Sequence, residues 1–212
     1  MKDKILTKYW DKFYKKGLIK KESSFASFAL KRINLKKNTI LDIGCGNGRD
    51  SFFFSKKGFK VTGIDISKKA IQKNSKYKIK NIKFKRFNIG KNQLREKYDI
   101  IYCRFFLHAI DKNLENSLIN LIKKSKKKGT FVFFEFRNNK DKIFKNFAKK
   151  THNTVCEYEK GHFRRIVDAK IFKKKFLKKT SSKIIYEKSG INLSVLKSDN
   201  PNLSRMIFKF ND

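Results

Sequence analysis

The strongest structural signal in this chain is the glycine-rich segment Asn38-Thr-Ile-Leu-Asp-Ile-Gly-Cys-Gly-Asn-Gly-Arg-Asp50. It begins with a short apolar run at 39–41, which is typical of a buried strand. Three alternating glycines follow within 44–48, where the backbone can turn sharply and approach a ligand without a Cβ in the way. A helical stretch then runs from about 49 to 57. A strand, a tight glycine turn and a helix N-terminus together predict a nucleotide-type site on a doubly wound sheet.

Two acidic residues narrow the kind of ligand. The third glycine of a dinucleotide fingerprint, which seats a pyrophosphate, is replaced here by Arg49. Asp42 lies two residues before Gly44, where a carboxylate repels a pyrophosphate and suits a cationic ligand. Asp65 ends the next strand-like run, 60–65, at the place expected for an acid that holds ribose hydroxyls. The two acids predict an adenosyl ligand that carries positive charge.

Two segments of the chain resemble the first two motifs of class I S-adenosylmethionine-dependent methyltransferases: Ile40-Leu-Asp-Ile-Gly-Cys-Gly-Asn-Gly48 and Gly63-Ile-Asp-Ile-Ser67. The resemblance implies an enzyme with S-adenosylmethionine as its cofactor and a sheet of seven strands whose last strand is antiparallel. It also implies that Asn88 hydrogen-bonds the adenine amino group. The cofactor-binding residues predicted in this way are Asp42, Gly44, Cys45, Gly46, Asn47, Gly48, Asp65, Ile66, Asn88, Ile89 and Arg104. The alternative is an ordinary glycine turn between a strand and a helix.

Strand and helix patterns alternate along the chain. Strands are predicted at 39–42, 60–65, 82–88, 98–104, 129–136, 183–188 and 205–210, and helices at 4–15, 22–32, 49–57, 67–76, 111–125, 141–150 and 168–178. This alternation predicts an α/β fold with a parallel sheet and helices on both faces. With the resemblance, we expect a Rossmann-like, doubly wound, seven-stranded and mostly parallel sheet. We expect one methyltransferase domain over 1–212, with a helical segment at 1–37 over the cleft and a lid insertion at 138–168.

The length predicts a single domain, and the hydropathy and cysteine content predict a cytoplasmic protein. The 212 residues suffice for one domain with a real core. No run of 18 or more apolar residues occurs, so we expect no membrane span, and the first residues lack the pattern of a signal peptide. Cys45, Cys103 and Cys156 form no paired framework and no CxxC motif, which fits reduced thiols.

The net charge of +37 raises the question of nucleic-acid binding. Nine of the 55 basic residues are arginines, so 46 are lysines, and they are dispersed along the chain. Abundant Lys, Asn, Ile and Phe with a single proline is the profile of an AT-rich genome. We therefore expect no specific nucleic-acid partner, although attraction to anions remains. An RNA methyltransferase that uses this basic surface is the alternative.

A late segment, Gly161-His162-Phe-Arg164-Arg165, contains two of the scarce arginines beside a histidine. Arginine offers a planar fork that pairs bidentately with carboxylate or phosphate, which lysine cannot do. Arg137 follows the fifth strand, so we expect it at the ligand cleft. The sequence thus predicts a small anionic acceptor bound by Arg137, His162, Arg164 and Arg165. The alternative for this segment is a surface cluster of ion pairs.

Weaker motifs point to a subfamily. Glu135, the 161–165 segment, Ser23-Ser-Phe-Ala26 and Asn200-Pro-Asn-Leu-Ser-Arg205 resemble small bacterial methyltransferases associated with surface-polysaccharide modification. The resemblance implies methyl transfer to an oxygen or nitrogen atom, with a glycan precursor as one acceptor. The oligomeric state is left open.

The catalytic candidates are His108, Arg104 and His162. An imidazole titrates near neutral pH, so His108 is the first candidate for a general base toward a hydroxyl acceptor. The alternative is a histidine at a helix start that bonds a backbone carbonyl. The three histidines show no HxH or HExxH spacing, so we predict no metal. A protein that binds the cofactor without catalysis is the remaining alternative.

Overall fold

The computed structural model describes residues 2–14, 21–33, 38–145, 155–159, 162–195 and 198–211. Its strands are β1 Thr39–Ile43, β2 Lys60–Asp65, β3 Ile82–Arg86, β4 Tyr98–Arg104, β5 Lys126–Arg137, β6 Val155–Glu159, β7 His162–Arg165, β8 Ser182–Gly190 and β9 Leu203–Phe210. Its helices are α1 Lys2–Phe13, α2 Ser24–Leu30, α3 Arg49–Lys56, α4 Lys68–Asn74, α5 Lys112–Ser125, α6 Lys142–Lys145 and α7 Ala169–Lys179, with a 3₁₀ helix at Leu107–Ala109.

Seven strands form one sheet in the order β3-β2-β1-β4-β5-β9-β8. Strands β1 to β5 pair in parallel, whereas β9 is antiparallel to both β5 and β8. The prediction of a seven-stranded, mostly parallel sheet whose last strand is antiparallel is confirmed. The chain runs outward from β1 through β2 to β3 and then returns to β4 on the other side of β1. This reversal is the switch point beside which doubly wound sheets bind ligands.

The core has two parts, one on each face of the sheet. Along β4, Ile101 and Cys103 face one cluster while Ile100 and Tyr102 face the other, as alternation along a strand requires. Helices α5 and α7 cover the first face, and α2 and α3 cover the second. The prediction of helices on both faces is therefore confirmed.

Side-chain caps fix where several helices begin. Ser67 Oγ accepts a hydrogen bond from Ala70 N at 3.1 Å at the start of α4. Ser23 Oγ accepts from Ala26 N at 3.0 Å at the start of α2. Each such cap contributes about 1 kcal/mol and satisfies an amide that the helix leaves open.

The region 138–168 differs most from its predicted structure. Helix α6 spans only Lys142–Lys145, and the rest of the predicted helix lies outside the described residues. Strands β6 and β7, which were not predicted, form an antiparallel hairpin apart from the main sheet. Strand β5 also begins three residues earlier than predicted, because Lys126 already pairs with Tyr98 of β4. In the described ranges, no helix combines the length and the apolar character needed to span a membrane.

Candidate functional site

The glycine turn after β1 is held against β2. The amides of Gly44 and Cys45 donate to Ile64 O at 2.8 and 3.1 Å. Gly44 and Gly46 have φ angles of 74° and 52°, which favour glycine. A Cβ built on Gly46 would lie 2.2 Å from the Tyr14 hydroxyl oxygen, and one built on Gly44 would lie 2.5 Å from the ring of Phe106. Two aromatic rings therefore lie directly on the turn.

Asp65 ends β2 beside this turn. Its two carboxylate oxygens accept hydrogen bonds from Gly46 N at 2.9 Å and Ser67 N at 2.8 Å. Burial raises the pKa of Asp65 to about 6, against the lowering effect of these amides. A carboxylate has about four acceptor positions, so it keeps capacity for two further donors such as vicinal hydroxyls.

Asp42 lies in the last part of β1 and is 3% exposed. Ser51 Oγ donates a hydrogen bond to it at 2.5 Å. Burial raises the pKa of Asp42 to about 7, the Ser51 bond opposes this rise, and Asp50 and Asp65 add to it. The carboxylate is thus poised to ionise near neutral pH, and a nearby cation would favour its ionised form.

A pocket of about 350 Å³ opens at the strand ends, next to the switch point. One wall consists of Leu6, Trp10 and Phe13 of helix α1 and of Tyr14, the residue that follows it. This helix is fastened to α4, because Asp11 Oδ1 accepts from Ser67 Oγ at 2.6 Å and from Lys69 N at 3.0 Å. Of the predicted cofactor-binding residues, the pocket is lined by Asp42, Gly44, Cys45, Gly46, Asn47, Asp65, Ile66, Asn88, Ile89 and Arg104. Gly48 lies below the turn, at the N-cap of α3.

The positive charges of the pocket are all arginines. Among the described residues that line it, Arg49, Arg104 and Arg164 occur and no lysine does. Arg104 Nε donates to Glu135 Oε1 at 3.0 Å, and the Arg104 guanidinium stacks 4.1 Å from the ring centre of Phe105. These contacts fix the plane of the Arg104 guanidinium at the edge of the pocket.

Glu135, at the end of β5, is the fully buried anchor behind Arg104. Its carboxylate also accepts from Arg205 Nε at 2.7 Å and from Ser194 Oγ at 3.1 Å. Strands β4, β5 and β9 therefore meet in one ion-paired network beneath the pocket.

Arg137 does not line the pocket, which corrects its predicted contact with the acceptor. Its Nη1 donates to both oxygens of Asp141 at 3.1 Å, and Nη2 pairs with Asp199. Two intramolecular carboxylates thus occupy the fork that was assigned to the acceptor.

Arg165 needs the same correction. It is 6% exposed, donates to Ile110 O at 3.0 Å and Leu107 O at 3.3 Å, and pairs with Glu115 of α5. Neighbouring residues on a strand point to opposite sides, so on β7 Arg164 reaches the pocket while Arg165 is turned into the protein body. The Arg165 guanidinium does donate several hydrogen bonds, as expected, but its partners are backbone carbonyls and a carboxylate of the protein itself.

His108 is fully buried, which corrects its predicted role as a general base at the acceptor. Its Nδ1 accepts a hydrogen bond from Arg137 N at 3.2 Å, and its ring lies edge-to-face on Phe105 at 5.5 Å. The alternative prediction had the histidine bonded to a carbonyl, whereas it accepts from an amide. For His162 only the backbone in β7 is described, so the prediction for its side chain lies outside the described residues.

Several pocket residues were not predicted from the sequence, among them Asp50, Tyr102 and Phe105. Asp50 accepts from Ser23 N and Oγ, both at 2.7 Å, and from the Tyr102 hydroxyl at 2.9 Å, which joins α2, α3 and β4. Phe105 adopts φ 53° at the end of β4, an uncommon angle for a bulky residue. In the sequence, only the serine motif at Ser23 pointed to these pocket residues.

A strand-end pocket with a glycine turn and two buried acids defines a class of proteins that bind adenosyl ligands. Residues 14–176 match the family described as "Methyltransferase domain", and the chain belongs to this family. The matched family is the class of protein that the glycine and acid motifs predicted.

Relatives with known names match part of the chain. Ubiquinone biosynthesis O-methyltransferase from Rickettsia bellii is 24% identical over 139 residues, which are 61% of this chain and 58% of that protein. Ribosomal protein L11 methyltransferase from Campylobacter concisus is 34% identical over 97 residues, which are 45% of this chain and 33% of that protein. The chain thus spans less than two thirds of either relative.

Solved structures share the fold over nearly the entire chain. A SAM-dependent methyltransferase from Anabaena variabilis has a TM-score of 0.72 and 17% identity, and the match covers 98% of this chain and 94% of that one. The glycopeptide N-methyltransferase MtfA, complexed with S-adenosyl-L-homocysteine, has a TM-score of 0.69 and 10% identity over 92% of both chains. These likenesses confirm the Rossmann-like methyltransferase fold.

Proposed function

We propose that this protein binds S-adenosylmethionine and transfers its methyl group to an oxygen or nitrogen atom of a small anionic acceptor. The observation that carries the proposal is a single pocket in which the glycine turn, Asp42 and Asp65 lie beside arginines. The carboxylates suit the ribose hydroxyls and positive charge of the cofactor. The arginine forks suit a carboxylate or phosphate.

The residues of the turn fit this cofactor. The turn has no Cβ at Gly44 or Gly46, because one at either position would meet the ring of Phe106 or Tyr14. Asp65 keeps acceptor capacity for the ribose, and Asn88 with Ile89 would hold the adenine. Arg104 would bind the cofactor carboxylate, because Glu135 already fixes its guanidinium. When bound, the cofactor supplies an electrophilic methyl group on a sulfonium sulfur.

Arg164 is the arginine best suited to bind the acceptor. Arg164 belongs to β7 of the separate hairpin, whereas Arg104 ends β4 of the main sheet and Arg49 begins α3. The hairpin of β6 and β7 then acts as part of a lid within 138–168, opposite the wall formed by α1. Relatives that are named O-methyltransferases support oxygen as the acceptor atom. A glycan precursor, as the subfamily resemblance implies, is one acceptor to be tested.

The chain contributes chiefly by positioning. No histidine lines the pocket among the described residues, so we assign no imidazole base to the reaction. Holding the donor methyl group and the acceptor atom in contact and in line supplies a large part of the acceleration, since oriented pairs react with high effective molarity. A mainly apolar pocket also excludes water from the reacting groups.

Calorimetric titration with S-adenosyl-L-homocysteine tests the cofactor half of the proposal. Wild type should bind, and Asp65→Ala should lose about 1.5–3 kcal/mol, as for hydrogen bonds to a charged group. Glu96→Ala is the matched control, because Glu96 is an exposed acid whose partner is Lys85. If folded wild type does not bind the ligand, the proposal fails. Binding without turnover on any acceptor would favour the non-catalytic alternative.

A further inference from the structure

Aromatic rings enclose the part of the pocket above the glycine turn. Tyr14, the residue after α1, lies on Gly46, and Phe106 of the segment after β4 lies on Gly44. Trp10, the only tryptophan of the chain, lines the same pocket and stacks on Tyr14 with ring centres 5.8 Å apart. Rings from two separate parts of the chain therefore converge on the glycine turn.

The adenine end of the pocket has a different character. Asn88 lies there with aliphatic neighbours, since a Cβ built on Gly90 would lie 2.9 Å from Leu114 and 3.3 Å from Asn88 Oδ1. Ile66, Phe87 and Ile89 complete this end. The adenine thus has an apolar binding surface of its own, and the aromatic rings at the glycine turn remain for another part of the ligands.

Polar groups near the rings are already engaged. Asp50 and the Tyr102 hydroxyl bond each other and Ser23, and Asp42 is bonded by Ser51. A polyhydroxylated acceptor such as a sugar would exchange many water hydrogen bonds for few protein ones, which is costly in a mainly apolar pocket. A flat ring needs fewer partners and gains from stacking.

Arg164 supplies a positive charge close to these rings. It lines the same pocket as Trp10, Tyr14 and Phe106, and its positive charge acts against the rise in the pKa of Tyr14 that burial and Asp65 cause. Arg165 holds β7 in place from the opposite side through Glu115. The aromatic wall and the arginine fork are therefore adjacent.

We infer that the acceptor is a small aromatic anion, a hydroxylated ring that bears a carboxylate or phosphate. Its ring lies among Trp10, Phe105 and Phe106, and its anionic group pairs with Arg164. The inference rests on the proposed methyltransferase function. In the reaction the methyl carbon leaves the sulfonium sulfur, which keeps the electron pair of the broken bond and becomes a neutral thioether. The ring hydroxyl oxygen forms the new bond, and its proton passes to water.

Fluorescence of Trp10 gives a binding test that does not depend on turnover. The protein, saturated with S-adenosyl-L-homocysteine, is titrated with 4-hydroxybenzoate, with cyclohexanecarboxylate and with glucose 6-phosphate, and calorimetry repeats each titration. We expect 4-hydroxybenzoate to bind about tenfold more tightly than the saturated acid, since two ring contacts contribute that much together. Glucose 6-phosphate should give no saturable change.

Two variants test the named contacts. Phe106→Leu should reduce the preference for the aromatic over the saturated acid to about threefold, because it removes one of the two ring contacts. Arg164→Lys should weaken 4-hydroxybenzoate binding several-fold but leave the neutral analogue 4-hydroxybenzyl alcohol unchanged, because it keeps the charge and loses the fork. Arg95→Lys, at an exposed arginine outside the pocket, is the control and should change neither.

The outcomes separate this inference from the proposed function. If S-adenosyl-L-homocysteine binds and the aromatic acid shows no advantage, or no anion binds at all, the aromatic acceptor is overturned while cofactor binding stands. If glucose 6-phosphate binds more tightly than 4-hydroxybenzoate, the aromatic acceptor is overturned in favour of a sugar phosphate. Failure of S-adenosyl-L-homocysteine to bind would instead remove the methyltransferase proposal on which the inference rests.

Discussion

Asp42 should make the selectivity between S-adenosylmethionine and S-adenosyl-L-homocysteine depend on pH. Its pKa of about 7 means that the carboxyl is largely neutral at pH 5.5 and ionised at pH 8. S-adenosylmethionine carries one positive charge more than S-adenosyl-L-homocysteine, so only the ionised form favours the former. The affinity ratio of the two ligands should rise with pH, by at most about tenfold per unit for one proton. Parallel titrations from pH 5.5 to 8 measure it, and a pH-independent ratio in wild type would contradict the assignment.

The same carboxyl should destabilise the empty protein at high pH. A folded pKa raised above the unfolded value gives stability that is present below about pH 4 and is lost as pH rises through 7. At pH 8, Asp42→Asn should therefore unfold at a higher urea concentration than wild type, with a free energy of unfolding that is greater by up to about 4 kcal/mol. Near pH 4 the two proteins should be equally stable.

Asp99 provides a control of opposite sign for the stability measurement. Burial works to raise the pKa of Asp99, but hydrogen bonds from Thr39 and Lys127 outweigh it, and the pKa is lowered. Its contribution to stability is present above its unfolded pKa and is lost as pH falls. Asp99→Asn should therefore be less stable than wild type at pH 8, and a shift in the same direction as Asp42→Asn would contradict both assignments.

Phe105 stores backbone strain beside Arg104. Its φ of 53° suits glycine, and its ring is held between Arg104 at 4.1 Å and His108 at 5.5 Å. Both Phe105→Gly and Phe105→Ala remove the ring, but only glycine relieves the strain. Thermal unfolding should show the glycine variant about 1 kcal/mol more stable than the alanine variant, the reverse of the usual order. Equal stability would show that the backbone relaxes when the ring is absent.

The acids of the site could be predicted from sequence, whereas the roles of the arginines could not. Glycine spacing fixes the backbone path around Asp42 and Asp65, so local sequence suffices to locate them. The argument that a retained arginine marks a fork contact holds for Arg137 and Arg165. Their partners, Asp141 and Glu115, are set by tertiary packing, and no local pattern reveals them.

Strand β7 is joined to the body of the protein by one buried ion-paired group. Glu115 of α5 is 4% exposed and receives Arg165 on one oxygen and Lys175 of α7 on the other, the latter at 2.5 Å. Helices α5 and α7 and the hairpin strand therefore depend on the same carboxylate. A buried pair of this kind is costly to break, because the remaining charge stays buried.

Glu115→Gln should lower the free energy of unfolding by about 3 kcal/mol, the size measured when one member of a buried pair is removed. The matched change Glu96→Gln breaks an exposed pair with Lys85 and should cost less than about 1 kcal/mol. Urea denaturation of both variants measures the difference. Equal losses would mean that the Arg165 charge escapes to solvent when its partner is neutral.

The strands that form the core were predicted more accurately than the hairpin. Strand β4 has the bounds that the sequence predicted, because it is a nearly continuous buried run between polar residues. Strands β6 and β7 have four or five residues each and lie outside the main sheet, so no long hydrophobic period marks them. Local propensity is a weak guide for such short elements.

Charge is divided unevenly over the protein. The pocket has arginines and no lysine among its described lining residues, whereas an adjoining groove of about 910 Å³ is strongly basic. That groove shares Ile66 and Asn88 with the pocket, and its cationic residues are Lys8, Lys12, Lys69, Arg86 and Lys91. The groove is the surface on which RNA would bind if the alternative function were correct.

We expect RNA binding to be weak, unspecific and governed by salt. Dispersed lysines act through counterion release, so affinity should fall steeply between 50 and 200 mM salt and should not depend on sequence. The double variant Lys8→Glu/Lys12→Glu changes the groove, and Lys174→Glu/Lys178→Glu changes two exposed lysines of α7 as its control. Filter binding should show equal losses for the two, because each removes the same charge from a basic surface. A greater loss for the groove variant, together with one RNA that stays bound at high salt, would make the groove a specific site and favour an RNA acceptor.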